Sequence, residues 1–252
     1  MKRRPKISVC LPTYNGERYI REQLESILSQ LDAQDEVILS DDRSTDRTLA
    51  VVSSLNDRRI KVYIHPETSN PFKGSYRKIY TVYKNVEYAL SKAAGDYIFL
   101  ADQDDVWLPN KVDRVTKEFE LGAEVVLHNN QVVDMQGNVL VPSYFSWSKP
   151  SRSTVRFIVR CFYQGASMAF NRRIKELSLP FPDKWPVSHD HWIAAVGWTH
   201  GKNISFIHEP LLLYRRHGQN VSYSSEHSSN SLYFKISYRF NLLALFLVSK
   251  KR

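Results

Sequence analysis

The run Tyr97-Ile98-Phe99-Leu100-Ala101, broken at once by Asp102-Gln103-Asp104-Asp105, constrains this fold more than any other stretch of the chain. Aromatic and branched residues without polar alternation, opened by the Gly95-Asp96 turn, read as a strand buried on both faces. A strand of that kind sits in a sheet covered by helices on two sides. The carboxylates that follow stand at its carboxyl end, where open α/β sheets form ligand crevices. Carboxylates so closely packed repel one another unless a cation lies between them. Hard oxygen donors at this density suit Mg²⁺ or Mn²⁺, with a diphosphate completing the coordination shell. The plain alternative is an acidic turn or helix N-terminus, since Asp favours both.

The same pattern occurs earlier. Val37-Ile38-Leu39-Ser40 reads as a strand ending at Asp41-Asp42, and residues 48–55 continue as a helix for which Ser44 and Asp46 are the expected N-caps. Asp41 and Asp42 precede that cap and are left for function. The first strand, Ile7-Ser8-Val9-Cys10-Leu11, runs through Pro12-Thr13-Tyr14-Asn15-Gly16 into a helix with Tyr19, Ile20, Leu24, Ile27, Leu28 and Leu31 on one face. Strand, small-residue loop and helix together bring backbone N–H groups and a helix dipole to an anion. The loop is neither a Walker A sequence nor a Gly-rich dinucleotide fingerprint. With a third strand at residues 60–64 and a helix over about 77–93, the order βαβαβαβ predicts a mainly parallel sheet. Both acidic strand ends would then meet in one crevice.

The second half is less regular. A helix over residues 111–121 precedes segments 125–128, 131–133 and 138–141, which read as a meander, and residues 143–150 form an aromatic and polar loop suited to face an acceptor. Residues 156–162 read as a helix or strand, and Gly165 to Phe170 as a strand. Trp185-Pro186-Val187-Ser188-His189-Asp190-His191-Trp192 leads into an apolar helix at residues 193–196. Asp190 is either its N-cap or a carboxylate held in a partly desolvated pocket, where it can act as a base. Residues 204–207 and 211–214 read as strands around a Glu209-Pro210 turn. The basic loop beyond them, Arg215-Arg216-His217-Gly218, suits a diphosphate or a metal already held by carboxylates. After a Ser-rich linker, residues 232–252 read as a basic amphipathic helix able to lie on an anionic membrane surface or to pack on the protein. No stretch is expected to span a bilayer.

The net charge of +9 points to an anionic partner without choosing among them. The two cysteines, Cys10 and Cys161, lie apart in apolar segments, which supports neither a disulfide scaffold nor a zinc site. A cytoplasmic setting fits best, and residues 7–11 are too short to form a signal-peptide core.

Taken together, Pro12-Thr13-Tyr14-Asn15-Gly16-Glu17, Leu39-Ser40-Asp41-Asp42-Arg43-Ser44, Ala101-Asp102-Gln103-Asp104-Asp105-Val106-Trp107, Gly165-Ala166-Ser167-Met168, His189-Asp190-His191-Trp192 and Tyr214-Arg215-Arg216-His217 resemble a family 2 glycosyltransferase of the GT-A fold. The resemblance covers nearly the whole chain. It implies a Rossmann-like α/β architecture with a mostly parallel central sheet, helices on both faces and a smaller acceptor-side subregion. Residues 1–108 would form the nucleotide-sugar half, 109–222 the acceptor half, and 223–252 the linker and C-terminal helix. It further implies a nucleotide-sugar donor, a divalent Mn²⁺ or Mg²⁺ and an inverting transfer. By position, Pro12, Thr13, Tyr14 and Glu17 would border the nucleoside and Asp42 would bond the base. Asp102 would face the ribose and metal, and Asp104 would be the principal metal ligand with Asp105 beside it. Asp190 would be the catalytic base, with Arg215 and His217 over the diphosphate. The acidic and basic elements are most similar to those of bacterial rhamnosyltransferases of surface polysaccharide synthesis. That similarity favours dTDP-rhamnose as donor over UDP-hexoses, and an oligosaccharide or lipid-linked glycan as acceptor, with peripheral contact at the inner face of the plasma membrane. A nucleotidyltransferase would show a Gly-rich basic loop after the first strand. A non-enzymatic module binding nucleic acid would leave the clustered acids repelling phosphate.

Overall fold

The computed structural model describes residues 4–160, 162–201, 203–217 and 231–251. Cys161, the Gly218 end of the basic loop and the Ser-rich linker lie outside them. The strands are β1 (Ile7–Thr13), β2 (Glu36–Asp41), β3 (Ile60–Ile64), β4 (Tyr97–Leu100), β5 (Val106–Trp107), β6 (Val125–Val133), β7 (Val139–Val141), β8 (Met168–Asn171) and β9 (Ile204–Arg215). The helices are α1 (Ile20–Leu28), α2 (Thr48–Ser54), α3 (Ser75–Lys92), α4 (Lys111–Glu120), α5 (Tyr144–Ser148), α6 (Thr154–Arg160), α7 (Arg172–Ser178), α8 (His189–His200) and α9 (Leu232–Ser249).

Among the described residues the strands form one sheet in the order β3-β2-β1-β4-β8-β6-β9-β5, with β7 paired to β6. The half β3-β2-β1-β4 is parallel, as the βαβ pattern predicts. Beyond β4 the sheet is mixed: β8 runs antiparallel to both neighbours, and β6 and β9 run parallel to each other. Alternation along the buried strands assigns each side chain to a face. Ile7, Val9, Leu11, Val37, Leu39 and Phe99 pack with α1, α2 and α4, whereas Cys10, Ile38, Ile98 and Leu100 pack with α3, α7, α8 and α9. Apolar runs without a polar face are therefore what this three-layer packing demands.

Several boundaries differ from the sequence expectation. The meander and the Glu209-Pro210 turn are replaced by two long strands, β6 and β9, paired in parallel with irregularities around Asn129, which is opposite Pro210. Proline has no N–H to give a ladder, and a bulge is where a strand tolerates it. Only the β6–β7 hairpin of the meander survives. Gly165–Ser167 is a 3₁₀ turn rather than a strand. Helix α8 starts at His189, four residues before the expected apolar segment, because His189 through Gly197 are all buried. Finally, α9 is long and apolar enough to cross a membrane by length and composition alone, contrary to expectation. Here one of its faces, with Tyr238, Leu242, Leu245 and Phe246, is buried on the protein.

Candidate active site

The parallel order brings the carboxyl ends of β2, β1 and β4 side by side, and side-chain hydrogen bonds lace them together. The Gln103 amide accepts from the Tyr14 N–H at 2.9 Å and donates to the Tyr14 carbonyl at 3.0 Å. Gly16 passes so close that a Cβ there would lie 2.5 Å from the Gln103 Oε1. On the other side, the Asn15 N–H donates to the Ser44 Oγ at 2.9 Å, and the Asn15 Oδ1 accepts from the Thr45 N–H at 2.8 Å. Helix α1 buttresses the acidic segment: Gln23 donates to the Asp102 carbonyl at 2.7 Å, and the Ser26 Oγ accepts from the Trp107 N–H at 3.0 Å.

The paired aspartates after β2 divide into two roles. Asp41, reserved for function on sequence grounds, is a loop lock: its carboxylate accepts from the Ser44 N–H at 2.7 Å, the Ser44 Oγ at 2.6 Å and the Thr13 Oγ1 at 3.1 Å. Such Asx turns compete with regular structure and fix the chain reversal. Asp42 instead meets the His65 Nδ1 at 3.0 Å. Asp46 accepts from the Thr48 N–H at 2.9 Å, as a helix-entry residue should, while Ser44 is taken up by Asp41 and Asn15. Among the four residues expected to border a nucleoside, Tyr14 is 55% exposed, whereas Thr13 is buried. The Glu17 carboxylate accepts from the Arg47 N–H at 2.8 Å, stitching two loops together. Pro12 belongs to β1.

The acids after β4 are held apart in function by their surroundings. Asp104 meets the His217 Nε2 at 2.7 Å, and His217 stacks on Tyr19 with ring centroids 5.2 Å apart. Burial, and then the charges of Asp104 and Asp190, push the Asp102 carboxyl up to about 7. Asp102 therefore lies within electrostatic reach of both Asp104 and Asp190. Asp105 points inward: one oxygen accepts from the Arg215 N–H at 2.9 Å, and the other is buried with no hydrogen-bond partner. Burial, and then the charges of Asp104 and Asp102, raise its carboxyl well above the usual range, and its bond to the Arg215 N–H ties the acidic segment to the end of β9. The Arg215 guanidinium, expected over a diphosphate, donates to the carbonyls of Asp104 at 3.1 Å and Met135 at 3.3 Å, and to Glu22 at 2.7 Å.

Asp190 lies in the first turn of α8, and Ser188 is the N-cap residue. Its carboxylate accepts from the Gly165 N–H at 3.1 Å, the His191 N–H at 2.8 Å and the Ser188 hydroxyl. Burial works to raise this carboxyl, but His191, His189 and these donors outweigh it and hold the group below its ordinary value. A buried carboxylate kept ionised beside other acids is a proton acceptor in waiting. Gly165 is required here, because a Cβ at that position would lie 2.5 Å from the His189 Nε2.

Sequence reasoning missed Lys111. It is 1% exposed and donates to the Ala166 carbonyl at 3.0 Å, with its ammonium 4.1 Å from the Trp107 ring centroid. Burial lowers it to about 7 against the attraction of Asp105 and Asp102. It therefore places a buried amine behind the acidic strand end and pins the turn that carries Gly165. Its place as the first residue of an amphipathic helix gave no sign of this.

The donor set suits a hard cation in part. Among the described residues, no three His, Cys, Asp or Glu side chains converge on one point. The pair Asp104–His217, with repelled Asp102 nearby, matches the sparse protein contribution typical of Mg²⁺ and Mn²⁺, which draw their remaining ligands from phosphate and water.

The mixed α/β sheet with acids at adjacent strand ends has the GT-A architecture. The family model for Glycosyl transferase family 2 matches residues 8–177, and the chain belongs to that family. An uncharacterized glycosyltransferase of Nostoc sp. is 28% identical over 222 residues, covering 85% of this chain but 66% of that protein, so the chain spans just under two thirds of its relative. The dTDP-rhamnosyl transferase RfbG of Shigella flexneri is 25% identical over 236 residues, covering 86% of this chain and 76% of RfbG. In structure, S. aureus TarS 1-349 in complex with UDP-GlcNAc superimposes with a TM-score of 0.70 at 22% identity, over 97% of this chain and 66% of that one. Glucosyl-3-phosphoglycerate synthase from Mycobacterium tuberculosis, in complex with Mn²⁺, UDP and phosphoglyceric acid, gives a TM-score of 0.59 at 17% identity, over 98% of this chain and 78% of that one. Both structures share the fold.

Proposed function

We propose that the chain is an inverting, divalent-cation-dependent glycosyltransferase that moves rhamnose from dTDP-rhamnose to a saccharide or lipid-linked glycan in polysaccharide synthesis. The observation that carries the reading is Asp190: a buried carboxylate held ionised by Gly165, Ser188 and the histidines, in electrostatic reach of Asp102. The similarity to RfbG supports rhamnose among the donor sugars.

In this mechanism Tyr14 and Asp42 bind the nucleoside, with Asp42 oriented by His65 to accept from a base N–H. Asp102 faces the ribose and the cation. Asp104 and His217 would hold Mg²⁺ or Mn²⁺, which would supply Lewis-acid stabilisation of the charge on the departing diphosphate. Asp190 takes the proton from the acceptor hydroxyl as that oxygen bonds to the anomeric carbon. The bond from this carbon to the diphosphate oxygen breaks, and a single displacement inverts the centre. No covalent enzyme intermediate is needed, so no serine or cysteine nucleophile is invoked.

A thermal-shift screen with Mn²⁺ tests the donor. A donor at a hundredfold its Kd stabilises a domain of this size by about 2.7 kcal/mol, or about 5–10 °C. We expect dTDP-rhamnose to give a rise of that order, and UDP-glucose, UDP-galactose and UDP-GlcNAc about 2 °C or less. A larger shift with a UDP-sugar reassigns the donor and leaves the fold and base untouched.

Helix α9 supports a location at a lipid surface. Leu232, Ile236, Phe240, Leu243 and Leu247 recur at spacings of four, four, three and four and are all at least 41% exposed, which makes a continuous apolar stripe. Val155 and Val159 of α6 extend it, and Arg239 joins the two helices by donating to the Val159 carbonyl at 3.0 Å. With Lys235, Arg239, Lys250 and Lys251 near the stripe, the face fits an anionic bilayer at the cytoplasmic surface, each cation contributing about 1 kcal/mol. Vesicles containing phosphatidylglycerol should sediment the protein, pure phosphatidylcholine should not, and Phe240→Asp should abolish the difference. Equal recovery of both proteins in the supernatant would show that another surface, not lipid, covers this face.

A further inference from the structure

Helix α9 does more than cover α8: it delivers one hydroxyl to Ser188 and His191, the two residues that flank the candidate base. The Tyr238 Oη lies 2.6 Å from the His191 Nδ1 and 3.0 Å from the Ser188 Oγ, and accepts from the Ser188 N–H at 2.9 Å. The Ser188 Oγ in turn bonds Asp190 and lies 2.7 Å from the His191 Nδ1. We propose that Tyr238 is a positioning residue for Asp190, so that the C-terminal helix is part of the catalytic apparatus and not only a covering element. The inference rests on the reading of Asp190 as the base.

Donor counting orders the network. An ionised Asp190 only accepts, so the Ser188 hydroxyl proton is committed to it. The Tyr238 oxygen already accepts from the Ser188 N–H, which leaves its own proton for the His191 Nδ1. In its neutral form His191 is thereby held as the Nε2–H tautomer, and the Ser188 hydroxyl is not drawn away from Asp190 to satisfy the ring. Without the tyrosine hydroxyl, the ring nitrogen loses its 2.6 Å neighbour, and the Ser188 hydroxyl, 2.7 Å away, can turn toward it and away from Asp190.

The hydroxyl is not needed to dock the helix. Leu242 and Leu245 are fully buried, the Tyr76 Oη lies 2.7 Å from the Ser237 Oγ, and Thr199 bonds Ser249 at 3.1 Å. The Tyr238 ring also packs on Phe234 and, edge on, against His191, with centroids 5.7 Å apart in each pair. Phenylalanine would keep these contacts. The pair Tyr238 and Tyr76 therefore separates positioning from docking, since each contributes a hydroxyl at the α9 interface and only one reaches the base.

The test uses Tyr238→Phe and Tyr76→Phe in the full chain. Nucleotide release is measured from dTDP-rhamnose and UDP-glucose with Mn²⁺ and water as acceptor, together with nucleotide Kd and the His191 tautomer from ¹⁵N shifts of the metal-free protein. We expect Tyr238→Phe to lower release about tenfold at unchanged Kd and to move His191 toward the Nδ1–H form, with Tyr76→Phe at wild-type values. An unaltered tautomer in Tyr238→Phe, or an equal loss of release in Tyr76→Phe, overturns the proposal. Asp190→Asn separates this idea from the one beneath it. Wild-type release in that variant sinks the base assignment, whereas an inactive Asp190→Asn beside a fully active Tyr238→Phe sinks the positioning role alone.

Discussion

Asp190→Asn is expected to lose glycosyl transfer by about a hundredfold or more, on the order of 2.7 kcal/mol in the barrier, while nucleotide affinity stays within about twofold. The substitution keeps the size of the side chain and one acceptor oxygen, which can serve the Gly165 N–H on one side or the His191 N–H on the other, so the fold should stay in place at the loss of one hydrogen bond. What it removes is the capacity to take a proton. A parallel loss of nucleotide affinity would instead mark Asp190 as part of the donor pocket. The charge also has a stability signature. The carboxyl is held below its unfolded value, so its ionised form stabilises the native state above about pH 4, and that contribution is lost as pH falls through the lower folded value. Chemical denaturation of wild type and Asp190→Asn should therefore differ most near neutrality and converge on acidification.

The second large effect is expected at Asp104. Mn²⁺ and dTDP together should raise the melting temperature of the wild-type chain by several degrees more than the sum of their separate shifts, since each supplies ligands the other needs. Asp104→Ala should abolish that excess, keep the small shift from nucleotide alone and lower transfer by about a hundredfold. His217, stacked on Tyr19, stays in place without its carboxylate partner, so the variant tests ligation rather than folding. Retained synergy in Asp104→Ala would remove Asp104 from the cation site.

The parallel half of the sheet was legible because β1, β2 and β4 are buried on both faces and write that burial as apolar runs, with the half-exposed β3 at its edge. Asp102, Asp104 and Asp190 stand out in the sequence for the same reason: a carboxylate beside an apolar run needs a partner or a purpose. Other features left no local trace. Asp41 looks like Asp42 in sequence, and only the positions of Ser44 and Thr13 make one a loop lock. Strand β9 hides its continuity behind Pro210, which is tolerated because Asn129 forms an irregularity opposite it. Lys111 and Tyr238 join the site through contacts with Ala166 and His191, 55 and 47 positions away, which no periodicity can reveal.

The bracket that Gln103 forms around Tyr14 has a consequence for anyone exchanging donor pockets between relatives. A graft of residues 101–108 alone would carry a foreign side chain to the edge of a native loop, cutting both amide contacts, and any bulk in place of Gly16 would collide with the amide. The two segments form one transplantable module although 89 positions separate the bonded residues, and chimeras that respect this joint should recover sugar selectivity that single-segment swaps lose.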